Sequence, residues 1–295
     1  MSADAPSVEL VPAGSAEVAG TAVRRALPTA RRRTVGAWCF ADHFGPAGVG
    51  PDHRAAIGPH PHIGLQTVTW LVAGEQRHRD SLGSDQVIRA GQLNLMTAGH
   101  GVVHAEESLD YQGTLHGVQL WVALPDAVRH SDPDFEHLPE LPRVAVGAAE
   151  ASVLVGALDG ARSPARVHSP LLGVDLRVRA GDATVPLDRG FEHGVVVLEG
   201  DLDVGGTRVR PGTLAFLAAG RDELPLRADG DARALLLGGA PFEEPLFMWW
   251  NFVGRTRRGM EEARRQWVSG DGRFGPVEST LDRMPAPGLP WRAEG

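Results

Sequence analysis

At 295 residues, 42% hydrophobic and 22% charged, the chain is long enough for two domains and has no apolar run of the roughly 18 residues a membrane span needs. Its 29 basic residues, all arginine, are outweighed by 37 acidic ones, and the net charge of -8 excludes bulk attraction to nucleic acid or an anionic membrane as the basis of function. A lone cysteine, Cys39, excludes an intrachain disulfide and any multi-cysteine metal site; with no signal-peptide pattern at the N-terminus, the composition points to a reducing cytoplasm.

Residues 1–20 are small and polar, with a short strand expected at Val8–Val11 in otherwise frayed chain. Arg31-Arg32-Arg33 reads as a solvated patch before an apolar stretch containing Val35, Trp38, a buried Cys39 and Phe40. A Gly/Pro/Asp-rich loop, Gly45–His53, should follow. Gln66–Val72 alternates polar and apolar residues with β-branched enrichment, which predicts a strand closed by Gly74. His78–Asp80, Gln86–Arg89, Gln92–Met96, Val102–Glu106 and His116–Leu124 read as further strands, separated by Gly83, Gly91 and Gly99-His100-Gly101. Turn signals about every ten residues are the mark of an all-β sandwich or barrel.

Pro125–Pro142 holds four prolines and no periodicity, so it reads as an interdomain connector between residues 1–124 and 143–295. The β pattern then resumes at Ala151–Val155, Gly173–Arg179, His193–Leu198, Thr213–Leu217 and Ala232–Leu237. Arg257–Trp267 has helical spacing with Gly270 as its stop, and Pro285–Pro290 is a tail. The two halves register by their glycines: Gly74 matches Gly200, and Gly91 and Gly99 match Gly212 and Gly220 at the same spacing.

The chemistry concentrates in Gly58–Glu106. His60 and His62, and likewise His104 and Glu106, are spaced i, i+2, which in a strand turns both side chains of a pair to one face. Three imidazoles and one carboxylate converging on a point make a metal site, with His60, His62, His104 and Glu106 as ligands. Four protein ligands on a six-coordinate metal leave two positions for water, substrate or dioxygen, which points to chemistry more than to closed structural zinc. Carried through the glycine register, His60 and His62 fall on Pro186 and Asp188, and His104 and Glu106 on Pro225 and Arg227, so the second half has lost every ligand.

Gly58-Pro-His60-Pro-His62-Ile-Gly64 and Met96-Thr-Ala-Gly99-His-Gly101-Val-Val-His104-Ala-Glu106 resemble the pirin family of the cupin superfamily. Ala41-Asp-His-Phe44-Gly, His116-Gly-Val-Gln-Leu-Trp121-Val and Glu244-Pro-Leu-Phe-Met-Trp-Trp-Asn251 extend the likeness over about residues 30 to 270. The resemblance implies a bicupin: two β-barrel (double-stranded β-helix) domains and a short C-terminal helix, with one divalent metal in the N-terminal barrel and an empty C-terminal one. The metal is expected to be Fe(II), with Ni, Cu, Mn, Co and Zn as alternatives. The general cupin acid that follows the HxH pair is here Gln66, which leaves Glu106 as the acidic ligand, and Ile63 stands where many pirins carry Arg.

Two functions are compatible with that resemblance. The first is a dioxygenase similar to bacterial enzymes that open flavonols such as quercetin, taking a small aromatic substrate and dioxygen, with Glu106 accepting or orienting a proton. The second is a non-enzymatic, iron-dependent regulator that binds a transcription factor or metabolic enzyme. Among the other histidines, His116 is a candidate hydrogen-bonding support for the site. His100 reads as a solvated loop residue, and His78, His130, His137, His168 and His193 as structural or surface residues. Trp249, Trp250 and Phe252 read as packing.

Overall fold

The computed structural model describes residues 7–18, 20–50, 54–109 and 111–291. Residues 1–6 and 19 of the stretch expected to be frayed, and 51–53 of the expected loop, lie outside it. Among the described residues strands dominate, and one helix, Arg257–Ser269, follows them. Thr256 caps its start by accepting the Gly259 N–H, and Gly270, left-handed at φ 70°, ends it by donating to the Gln266 carbonyl. Among the described residues no helix is long and apolar enough to cross a membrane.

The chain forms two compact units. One, built mainly from Phe44–Pro139 and Glu243–Gly295, carries all four candidate ligands. Its small sheet has the order Ile57–His62, Val102–Glu107, Glu75–Asp80, Asp85–Arg89. Its large sheet runs Asp134–Leu138, Leu93–Thr97, Leu65–Ala73, Gly113–Ala123 and then Trp38–Val49, the strand along which the chain enters the unit.

The other unit, mainly Val23–His43 and Glu140–Phe242, repeats this plan. Its small sheet is Gly181–Pro186, Glu223–Ala228, Leu202–Val204, Thr207–Val209. Its large sheet begins with Glu9–Pro12 on Thr213–Leu217 and continues through Glu192–Glu199, Ala232–Gly239, Leu171–Val178, Ala149–Val155 and Arg143–Val146. Between the sheets lies a continuous apolar core that includes Val153, Val174, Leu176, Val195, Val197, Leu217 and Leu236. Trp38, fully buried, is tied into this unit by an indole N–H that reaches the carbonyls of Leu172 and Gly238 at 3.0 and 3.2 Å.

Several expectations change. The stretch read as an irregular connector carries the strand Asp134–Leu138, because Leu93–Thr97 would otherwise leave an unpaired edge; every residue from Asp134 to Leu138 pairs with it. The strand Trp38–Val49 continues through the first half of the expected loop, with Gly45 at φ +78° and the Leu115 carbonyl only 2.2 Å from where a β-carbon would stand. Arg32 is not a solvated cation: its guanidinium bonds Glu9 at 2.6 Å and lies over the Phe216 ring.

The repeat is real, but the glycine register is one residue out. Val204, four residues past Gly200, pairs with Leu226, as His78, four past Gly74, pairs with Glu106. Leu224 then pairs with Val185 as His104 pairs with His60. The true counterparts of the ligand positions are Val185, Leu187, Leu224 and Leu226, all in or against the apolar core, whereas Pro186, Asp188, Pro225 and Arg227 are exposed. A one-residue slip turns every side chain to the opposite face of a strand. The loss of ligands in the second unit stands, with hydrophobic residues as the replacement.

Candidate metal centre

Prolines 59 and 61 remove alternate N–H groups from the strand Ile57–His62, which suits only an edge, and this strand is the edge of the small sheet. Beside it, Val102 lies opposite His62 and His104 opposite His60. The three rings therefore meet: centroids of His60 and His104 are 4.3 Å apart, of His62 and His104 5.0 Å, and of His60 and His62 5.1 Å. Their ligating nitrogens all lie within 4.8 Å of one another, and all three residues are buried.

The hydrogen bonds select the tautomers. His60 Nδ1–H donates to the Gly58 carbonyl at 2.9 Å and His62 Nδ1–H to the Asn251 carbonyl at 3.0 Å, which leaves each neutral ring a bare Nε2. Burial holds His60 neutral by lowering its pKa to about 4. His62 and His104 are pushed well below the ordinary histidine value, by burial first and then by neighbouring histidines. His62 Nε2 and His104 Nε2 stand 3.1 Å apart. Converging neutral imidazole lone pairs fit a divalent cation and satisfy one another poorly, so the donor set fits a metal.

Glu106 is also buried, and burial raises its carboxyl to about 7. It lies past an irregularity in the ladder, where the partner shifts and Glu106 faces Ile57. Its carboxylate lies outside the group of ligand atoms within 4.8 Å of one another. Gln66 turns elsewhere, donating to Thr97 Oγ1 at 2.9 Å. Ile63 packs with Val103, Phe252 and Met260 in a satellite core that also holds Trp249 and Trp250, as their packing reading requires.

Family models match this chain twice: Pirin over residues 20–122 and the Pirin C-terminal cupin domain over residues 173–275. The chain belongs to the pirin family. It is two cupin domains with a short C-terminal helix. This pirin is 49% identical over 290 residues to a Pseudomonas aeruginosa protein named "Putative quercetin 2,3-dioxygenase", covering 97% of this chain and 92% of that one. A "Pirin-like protein" of Caulobacter vibrioides is 38% identical over 257 residues, 84% of this chain and 88% of its own. A crystal structure of quercetin 2,3-dioxygenase from Acinetobacter baumannii superposes with a TM-score of 0.94 at 45% identity, covering 97% of each chain.

The surroundings of the histidines in this pirin hold groups that sequence reasoning missed. His78, expected to be structural or at the surface, is buried, with its Nδ1 3.3 Å from His104 Nδ1 and its Nε2 2.9 Å from Asp80 Oδ2. The available signal was the alternation Gln76, His78, Asp80 on one strand face, but its relevance depends on cross-strand pairing with residues 104 and 106. The Asn251 carbonyl, reached through Trp250 at a left-handed φ of 52°, has no side-chain signature at all. His116 is buried at an irregular point in its strand pairing.

The large sheet presents a largely polar face to the histidines. Trp121 meets the His62 ring edge-on at 5.2 Å, and Phe135 stacks on His78 at 4.4 Å. On that same face Thr69 Oγ1 donates to Gln119, and His137 bonds Asn94 at 2.7 Å. Gln119, Phe135 and His137 keep partial exposure.

Proposed function

We propose that this pirin is a metal-dependent dioxygenase that opens flavonol-type aromatic substrates such as quercetin, its metal held by His60, His62 and His104, with Glu106, whose carboxylate stands outside the histidine cluster, completing the ligand set when the ion is bound. The observation that carries the reading is the convergence of three buried, neutral imidazoles, with Glu106 buried on the same strand as His104. The likeness to the Pseudomonas protein and the Acinetobacter structure supplies the reaction class. The ion is Fe(II) in this reading, with Ni, Cu, Mn, Co or Zn as alternatives; when bound it supplies Lewis acidity towards an acidic substrate hydroxyl and a site for dioxygen.

The chain's own residues do the rest. Gly58 and Asn251 hold His60 and His62 with Nε2 presented. Glu106 accepts or orients the proton of the substrate hydroxyl. Thr69, Asn94, Gln119 and His137 offer hydrogen bonds to a polyhydroxylated ring system, and Trp121 and Phe135 offer flat apolar surface.

The test is an aerobic assay of purified protein loaded with Fe(II), and in parallel with Ni(II), following loss of quercetin absorbance and oxygen uptake. Oxygen-dependent turnover that falls at least a hundredfold, roughly, in Glu106→Gln supports the reading. Stoichiometric metal binding without turnover by any of the ions overturns it in favour of a regulatory role.

A further inference from the structure

We propose that His78 and Asp80 are positioning residues of this metal centre, acting through His104. The inference rests on the metal reading above and adds a support that reaches the third ligand from the side away from its two partners.

The chain of hydrogen bonds starts from a fixed carboxylate. Asp80 is fixed first: its Oδ1 accepts the backbone N–H groups of Leu82 and Ser84 at 2.9 and 3.0 Å, so the tight turn after the strand locks the carboxylate. Its Oδ2 accepts Nε2–H of His78 at 2.9 Å, and in this proposal the other ring nitrogen, Nδ1, is the acceptor offered to His104. That nitrogen lies 3.3 Å from His104 Nδ1; with His78 accepting, His104 donates from Nδ1 and presents a bare Nε2, 3.1 Å from His62 Nε2. The outcome at His104 is the one the Gly58 and Asn251 carbonyls impose on His60 and His62.

Geometry restrains His78 as well as chemistry. Its ring stacks on Phe135 with an interplanar angle of 11° and centroids 4.4 Å apart, which prevents it from turning away from His104. Both His78 and Asp80 are buried, so water competes poorly for these bonds. A ligand imidazole whose second nitrogen donates to a fixed acceptor is oriented and made more basic, and losing such a partner typically costs about 10- to 100-fold in metal affinity. Asp80→Asn is the sharpest probe, because an amide can donate to His78 Nε2, forcing the proton onto His78 Nδ1 and setting it against His104 Nδ1–H.

The experiment has two readouts. Co(II) affinity is measured by chelator competition, with the visible spectrum of the bound ion reporting its geometry, for the wild type, His78→Phe, His78→Gln and Asp80→Asn. Histidine tautomers are read by ¹⁵N NMR in the metal-free protein. We expect His104 to carry its proton on Nδ1 in the wild type and to lose that preference in Asp80→Asn. Co(II) affinity should fall about 10- to 100-fold in Asp80→Asn and His78→Phe, with a changed spectrum, and recover in part in His78→Gln, whose carbonyl can still accept. If His78→Phe unfolds by circular dichroism, the comparison rests on the near-isosteric Asp80→Asn and on His78→Gln. The proposal is overturned if folded variants bind Co(II) within threefold of the wild type, or if metal-free His104 is protonated on Nε2. A wild type that binds no Co(II) overturns the metal reading itself, a result distinct from loss in the variants alone.

Discussion

The Asp282 carbonyl lies 2.1 Å from where a β-carbon on Gly58 would stand. The C-terminal segment thus runs directly over the strand that bears His60 and His62, where Met284 N–H also donates to the Pro59 carbonyl at 2.9 Å. Gly58 is the same residue whose carbonyl orients His60. We expect Gly58→Ala to push the segment and the His60 strand apart, lowering metal affinity about tenfold and stability by about 1–3 kcal/mol. Chelator competition and thermal unfolding measure the two effects, and unchanged affinity would show that the segment is mere covering.

Removing the segment after Gly275 tests the same contact differently. Ser279 also donates to Glu107 at 2.6 Å, and Trp267 Nε1–H to the Met284 carbonyl at 3.0 Å, so truncation exposes both the ligand strand edge and the Trp267 face. The expected result is a protein whose histidine-bearing unit exchanges amide hydrogens faster in Ile57–His62 than the full chain does. Equal protection in both proteins would refute a role for the segment in holding that strand.

How much of this was legible in advance follows from what each residue depends on. His60, His62 and His104 could be read because an i, i+2 spacing acts within one strand, and strands alternate whatever their neighbours. His78 could not, since its partner is on another strand and their pairing is a tertiary fact. The carbonyls of Gly58 and Asn251 leave no trace in side-chain identity. Glycines marked the repeat correctly as turns, yet a turn does not count residues along a ladder, and Pro186 stood in for Val185. Asp134–Leu138 was hidden by flanking prolines at 133 and 139, although its Phe135 and His137 alternate as a strand's should.

Glu106 gives the metal-free protein a pH dependence of definite sign. Its folded pKa of about 7 exceeds the ordinary value of 4.5, so the folded state binds more protons between those limits and loses stability as pH rises through them. The full effect is about 3 kcal/mol at roughly 1.4 kcal/mol per unit. Glu106→Gln should therefore stabilise metal-free protein above pH 7 while changing little at pH 4.5. Urea unfolding at the two pH values decides this, and a gain that is the same at both would refute it.

His193 acts in the opposite sense. Both its ring nitrogens are buried without a hydrogen-bond partner, and burial lowers its pKa to about 4. The unfolded chain binds the proton more readily, so stability falls as pH drops from about 6.5 to 4. Replacing it with an apolar side chain removes an unsatisfied polar group from beside Leu217 and Gly238. We expect His193→Leu to be neutral or stabilising at pH 7 and clearly stabilising at pH 4.5; a loss at both pH values would show that the ring's shape matters more than its charge.

Asp175 and Arg233 form a buried ion pair in the apolar unit, bidentate at 2.8 and 2.6 Å with side chains 1% and 8% exposed. Their strands are neighbours, and Asp175 lies opposite Leu235, two residues from Arg233. Burying two charges costs nearly what their attraction returns, so the pair's net contribution is small while the cost of orphaning either member is large. Asp175→Ala should destabilise by about 3–5 kcal/mol, because the guanidinium stays buried without its partner. The double variant Asp175→Leu with Arg233→Met should recover most of that loss. Equilibrium unfolding of Asp175→Leu, of Arg233→Met and of the double variant measures the coupling directly, and a double variant as unstable as the sum of those two singles would mean that the pair does not act as a unit.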